Sequence, residues 1–206
     1  MRKPLNVIAN FHWIVPGEAA RSAQPLAVTW RRLLTTNGIR AIVNLRGPNP
    51  RYSWWRNERE VCAALGIQHL DVTLDSRKLP TRAMLAGLFD AFDRAPRPLL
   101  IKCSGGQDRS SLAAALYLIQ RDGWPAYDHA MAQFARWPYL HFPKAQQRWL
   151  RPFLQFAKAE AGARPVAAWA RESYSPESLA AWLDGQGQRH FYREIFTKAE
   201  ASRWQW

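Results

Sequence analysis

Nowhere in the 206 residues is there an uninterrupted apolar run of about 20, so no segment is expected to cross a bilayer as a helix. Cysteine is almost missing. The two present, Cys62 and Cys103, cannot make a disulfide framework, which favours a reducing cytoplasm. The five histidines (12, 69, 129, 141 and 190) show no close metal-ligand spacing, and neither a fixed-period repeat nor a low-complexity tract occurs. Acidic residues are outnumbered 16 to 29 by Lys and Arg. The basic N-terminus has its apolar stretch broken by Asn6, Asn10 and His12, and it is read as mature protein rather than a secretory leader.

What is present describes a globular chain. Hydrophobic residues make up 48% and charged residues 22%, which excludes a wholly disordered polymer. A chain of this length can bury roughly 70% of its unfolded surface, enough for a real core. Of the net charge of +13, +11 lies in residues 1–150. Such a field favours anionic partners, namely phosphorylated substrates, acidic lipid or nucleic acid. Nucleic acid is the least favoured, because no recognised module accompanies the charge. The expected location is the cytoplasm, with peripheral contact at the inner membrane surface as an option.

Short apolar runs alternate with helical patterns. HWIV (12–15), IRAIVNL (39–45), IQHLDVTL (67–74) and LLIKC (99–103) read as strands. Residues 26–38, 54–66, 81–95, 111–123, 125–137 and 144–162 read as helices, with Ser53 capping the second and Pro152 expected to kink or divide the last. Ser175-Pro176 is a helix start with proline in the first turn. The order predicts an α/β fold, with a catalytic-type domain over 1–162 and a helical C-terminal extension over 163–206, packed on that domain or facing a partner.

The informative segment is KCSGGQDRSS (102–111). Cys103 ends a buried strand, Gly105 and Gly106 permit a tight loop, and a helix follows Arg109. Backbone N–H groups of Ser104, Gly105, Gly106, Gln107, Asp108 and Arg109 then converge on one concavity suited to a phosphate dianion. Arg109 can grip two phosphate oxygens bidentately. The same positive field favours the Cys103 thiolate as a nucleophile. Cys62, inside an amphipathic helix, reads as a core residue.

These residues resemble the phosphate loop, Cys-x5-Arg-Ser/Thr, of cysteine-dependent phosphatases of the protein-tyrosine and dual-specificity class. Arg21-Ser22-Ala23-Gln24-Pro25, Gly38-Ile39 and Val43-Asn44-Leu45-Arg46-Gly47 are similar to the N-terminal half of small bacterial members. The likeness covers about residues 11–122. It implies a central sheet flanked by helices and hydrolysis through a phosphocysteine, needing neither metal nor cofactor. It also implies that Ser110 assists breakdown of the phosphoenzyme. Lys102 departs from the histidine usual before the nucleophile. Gln107-Asp108 resembles the corresponding pair of some inositide phosphatases, which keeps both phosphoprotein and lipid or sugar phosphate substrates open. The alternative function is a catalytically weak module that binds phosphorylated or anionic partners.

Relatives place a general acid on a loop upstream of the phosphate loop. Asp75 fits best, Asp108 is its rival, and Asp71 reads as structural. The cluster Arg51-Tyr52-Ser53-Trp54-Trp55-Arg56 has three readings: a basic and aromatic wall, a membrane-facing patch or ordinary packing. The tail tryptophans 169, 182, 204 and 206 are candidate interfacial anchors.

Overall fold

The computed structural model describes residues 4–197 and Glu200. In chain order the elements are α1 (Pro4–Ile8), β1 (His12–Val15), β2 (Ala19–Ser22), α2 (Trp30–Thr36), β3 (Ala41–Asn44) and α3 (Ser53–Leu65). Then come β4 (Gln68–Asp71), β5 (Lys78–Leu79), α4 (Arg82–Arg94), β6 (Leu99–Lys102) and α5 (Asp108–Asp122). The chain closes with α6 (Tyr127–Ala132), α7 (Leu150–Ala161), α8 (Val166–Glu172), α9 (Pro176–Gly185) and β7 (Glu194–Ile195). The main sheet has five strands in the order β1-β2-β6-β3-β4. All its pairings are parallel except β1 with β2. This is the α/β fold expected, a central sheet flanked by helices.

The centre of the sheet is β6, paired through Ile101 to Arg21 on one side and to Val43 on the other. Its side chains alternate between two cores, as a strand's must. Leu99, Ile101 and Cys103 join the larger core, together with residues of α4, α5, α7 and α8. Leu100 faces the smaller one, built from Trp30, Leu33, Leu34 and Cys62. A strand buried on both faces reads as a continuous apolar run. The loop that follows it lies at the carboxyl edge of a parallel sheet, the usual ligand side of such folds.

Several boundaries differ from the sequence pattern. The strand expected over 67–74 stops at Asp71. The helix expected from Ser111 starts at Asp108, which puts Asp108, Arg109 and Ser110 in its first turn. Pro152 does not kink a helix. It sits in the first turn of α7, where its missing N–H has no helical acceptor to lose. The division falls just upstream, between a short 3-10 turn at Ala145–Gln147 and Leu150. Tyr52 is the cap residue of α3 and makes no side-chain cap bond, so Ser53 is the first helical residue rather than the cap. Ser175 does cap α9, accepting from the Ser178 N–H at 3.2 Å.

Residues beyond 162 share the larger core. Trp169 is fully buried against Phe153, Phe156 and Tyr174, with ring centroids 6.2, 6.0 and 5.4 Å away. Tyr174 accepts from Arg82 Nε through its carbonyl at 2.7 Å, and its hydroxyl donates to the Pro80 carbonyl at 2.8 Å. The tail also contributes β7, parallel to β5, so it is not wholly helical. The expected use of Trp169 and Trp182 as membrane anchors is overturned: one is core and the other is half-buried, packed on Phe156 at 5.8 Å. Trp204 and Trp206 lie outside the described residues. Among those described, no helix is long and apolar enough to cross a membrane.

Beneath the sheet lies a buried polar cluster. Lys102 Nζ meets Glu58 at 2.6 Å, both side chains being fully buried, and donates to Gln24 Oε1 at 2.8 Å. Glu58 also accepts from His69 Nε2 at 2.7 Å and from Gln24 Nε2 at 3.0 Å. Burial alone would raise the Glu58 carboxyl, yet His69 and Lys102 hold it below its ordinary value of 4.5. Burial lowers the Lys102 ammonium to about 8 despite Glu58.

Two stability outcomes are expected. Trp169→Ala should cost about 3–5 kcal/mol in denaturant unfolding of the full chain, because it empties a core position. For Glu58, the unfolded carboxyl takes up its proton at a higher pH than the native one. Stability is therefore complete above about pH 4.5 and is lost as pH falls through the lowered native value. Glu58→Gln should reduce stability at pH 7 by roughly 3 kcal/mol and flatten the acid decline, as read by urea midpoints from pH 3 to 7.

Candidate active site

Between β6 and α5 the chain must turn sharply, and Gly106 is where it does so. Its φ is +64°, and a Cβ there would fall 2.4 Å from Ala23 N and 2.5 Å from the Ser22 carbonyl carbon. The loop is thus pressed against the end of β2. Its carbonyls are tied outward. Gln24 N–H donates to Ser104 O at 2.9 Å, and Asn10 Nδ2 reaches Gly105 O and Gly106 O at 3.3 Å each. Arg21 Nη2 donates to Gly106 O at 2.9 Å, Gln107 O at 3.1 Å and Ser111 Oγ at 2.7 Å. Arg21 is itself fully buried, and that burial lowers its pKa to about 10, so the guanidinium still carries its charge at neutral pH.

With the carbonyls held outside, N–H groups on either side of Arg109 are directed at the thiol. Gly106 and Ser110 N–H donate to Cys103, and Ser110 Oγ donates to Cys103 Sγ at 3.2 Å. Burial pushes the Cys103 thiol up. The Arg109 charge and these hydrogen bonds more than offset it, leaving the thiol below its ordinary value of 9. Cys62 shows the contrast. Burial, and then Glu58, raise that thiol to about 12, so it stays an inert core residue.

Arg109 is aimed across the loop. Its Nη2 donates to Ser104 Oγ at 3.0 Å and its Nη1 to Leu74 O at 3.2 Å and Leu45 O at 3.4 Å. A cleft of about 160 Å³ opens above Cys103, lined by Ser104, Gly105, Gln107, Asp108 and Arg109, with Ser76 and Gln147 as the far wall. Gln147 Nε2 donates to Ser76 Oγ at 3.0 Å.

The three aspartates are placed differently. Asp75 Oδ1 accepts from Arg77 N–H at 2.6 Å and Lys78 N–H at 3.2 Å, capping its own turn. Its neighbour Ser76 lines the cleft and Asp75 does not. Asp71 accepts from Asn44 Nδ2 at 2.6 Å and from Trp55 Nε1 at 3.1 Å, which is a bracing role. Asp108 lines the cleft, and burial raises its carboxyl above the ordinary 3.8 against the pull of Arg109 and Arg21.

Beside the loop, Arg46 lies 3.5 Å from the Trp54 ring centroid, and Lys102 Nζ lies 4.9 Å from the same ring. Tyr52 stacks on Trp54 at 6.2 Å. Trp55 turns inward to Asp71. The Arg51–Arg56 cluster therefore divides between a basic-aromatic wall and internal packing.

The sequence reading gave no role at the site to Asn10, Ser76, Gln147 or His141. Arg21 and Gln24 entered it only as part of a resemblance. The one local signal available was Arg21 itself, a charged residue in the strand AARS whose every position is buried.

Similarity to known proteins agrees with this geometry. Residues 8–153 match the family described as "Swiss Army Knife protein, DSP-PTPase phosphatase domain". A search of curated proteins gives no match. Among solved structures, the core catalytic domain of the PP-IP phosphatase SIW14 from S. cerevisiae, in complex with citrate, aligns with a TM-score of 0.54. The two are 16% identical, over 87% of this chain and 93% of that one. TpbA from P. aeruginosa aligns at 0.52 with 17% identity, over 89% and 94%. PTPMT1 in complex with PI(5)P aligns at 0.52 with 21% identity, over 74% and 99%. At such identities these structures speak for the fold, and the family match speaks for the lineage: this chain belongs to the DSP-PTPase phosphatase domain family.

Proposed function

We propose that the chain hydrolyses phosphate monoesters in two steps through a phosphocysteine. The observation that carries this reading is a buried cysteine, held against burial below its ordinary pKa by Arg109's field and by Ser110 Oγ, in a cleft that Arg109 and the carboxyl of Asp108 also line. The Cys103 thiolate attacks phosphorus. The loop N–H groups and Arg109 hold the three equatorial oxygens, where charge is borne through the transition state. Asp108 gives its proton to the departing oxygen. In the second step water attacks the phosphocysteine, Asp108 takes a proton from it, and the Ser110 hydroxyl stabilises the returning thiolate.

The geometry favours Asp108 over Asp75 as the acid, since Asp75 spends its carboxylate on its own turn. The same fold is found bound to PI(5)P in PTPMT1 and to pTyr in TpbA. The reading made for this chain is accordingly the reaction class. The Arg46–Trp54 wall supports a substrate with negative charge beyond its scissile phosphate. The binding-only alternative has no observation in its favour, because nucleophile, cradle and acid all share one cleft.

Cys103→Ser should abolish turnover of p-nitrophenyl phosphate while inorganic phosphate still binds, as checked by calorimetry. Arg109→Lys should lose about 10²–10³-fold in kcat/KM, because an ammonium cannot make the planar bidentate grip. Asp108→Asn should slow an alkyl phosphate such as glycerol phosphate by about 10²–10⁴-fold and p-nitrophenyl phosphate far less, whose leaving oxygen scarcely needs a proton. Asp75→Asn should leave the ratio between the two substrates unchanged. A selective loss there instead would transfer the acid role to Asp75.

A further inference from the structure

Asp108 is faced by a histidine from an element remote in sequence. His141 follows the 137–140 segment beyond α6, and its Nε2 stands 3.5 Å from Asp108 Oδ1. Neither atom has a hydrogen-bond partner, and both are buried. The imidazole's other nitrogen, Nδ1, lies 3.2 Å from the Phe134 carbonyl. A carbonyl only accepts, so Nδ1 carries the proton, and in the neutral ring Nε2 is then a bare acceptor. An ionised Asp108 would set two acceptors against each other in a buried space. One proton removes the conflict.

We propose that His141 is a positioning residue for Asp108: the two hold a single proton between Oδ1 and Nε2, which keeps Asp108 in its acid form until a substrate enters. This rests on the reading of Asp108 as the general acid.

Burial favours that proton on the carboxyl, since it raises Asp108 against the pull of Arg109 and Arg21 and lowers His141. Asp108 is faced by Arg109 and Arg21 as well as His141, and His141 by Arg21 and Arg151. The arginines oppose a second cation on the imidazole, and burial above all lowers it to about 4. The Phe134 ring packs against His141 at 5.3 Å and fixes its plane.

Delivery needs only a turn of the carboxyl about χ2, a torsion with a broad, two-fold profile. The S–P bond forms as the P–O bond to the leaving group breaks, and the proton passes from Asp108 to that oxygen. The carboxylate left behind then accepts a proton from the attacking water as the S–P bond breaks. The pair returns to its one-proton state.

The test is the pH profile of glycerol phosphate turnover in the full chain. His141→Phe removes the acceptor but keeps a ring of similar size. Its alkaline limb should move to lower pH, so that its deficit against wild type grows as pH rises and shrinks as pH falls. His141→Gln, whose amide can both donate and accept, should keep the limb near the wild-type position. A role in packing alone would lower turnover equally at every pH and would leave p-nitrophenyl phosphate just as impaired.

Nitrogen-15 NMR of wild-type His141 supplies a reading that does not depend on the variants folding. A neutral ring protonated at Nδ1 from pH 5 to 8 is expected, and an imidazolium in that range would overturn the proposal. An unmoved limb in His141→Phe, with Asp108→Asn still selectively impaired on glycerol phosphate, overturns it while leaving the acid reading intact. An unimpaired Asp108→Asn removes the acid reading and this proposal with it.

Discussion

Every property of the site depends on where the carbonyls of residues 104–107 are held. A backbone carries one donor and one acceptor per residue, and buried groups of either kind must be paired. Gln24, Asn10 and Arg21 take the acceptors from outside the loop, so the donors are left to face the cavity. The positive floor of the cleft is thus made by the Arg109 charge together with the neutral peptide groups of Gly106 and Ser110, already directed at Cys103. Preorganised dipoles of this kind need no rearrangement when charge develops, which makes them effective in catalysis.

The departure at Lys102 fits the same logic. The residue before Cys103 points to the opposite face of the sheet, where Glu58 and Gln24 receive its ammonium. Gln24 then connects the two faces, since its backbone N–H holds Ser104 O while its side chain bonds Lys102 and Glu58. The support under the loop is therefore a buried ion pair rather than an imidazole. Lys102 also places positive charge behind Trp54, the ring that carries Arg46.

Much of this was legible in sequence wherever the determinants are local. LLIK followed by a glycine-containing polar loop and an apolar helix could be read as strand, turn and helix, because each signal sits within the element it describes. The Cys103–Arg109 pair and Ser110 came with it. The grip of Asn10 and Arg21 could not be read, because those residues lie 85 to 96 positions from the carbonyls they hold. The sequence reading put Asp75 ahead of Asp108 and could not see which of the two lines the cleft. Both are aspartates in polar loops by pattern, and only the register of the turn shows that Asp75 caps its own backbone. The start of α5 was set three residues late because Asp108, Arg109 and Ser110 look like loop chemistry. Their helical geometry comes from the packing of the turns that follow.

The pairing of β5 with β7 ties one side of the cleft to the C-terminal tail. The far wall of the cleft, Ser76, is held from behind by Trp149 Nε1 on its carbonyl at 2.9 Å. The next residues are stitched to the tail, with Arg193 N–H on Arg77 O at 2.7 Å and Phe196 N–H on Leu79 O at 2.9 Å. The part of the cleft lined by Ser76 is therefore shaped by a segment that contributes no residue to the 103–109 loop. A change in residues 193–196 would reshape the cleft at Ser76 without touching any residue of that loop.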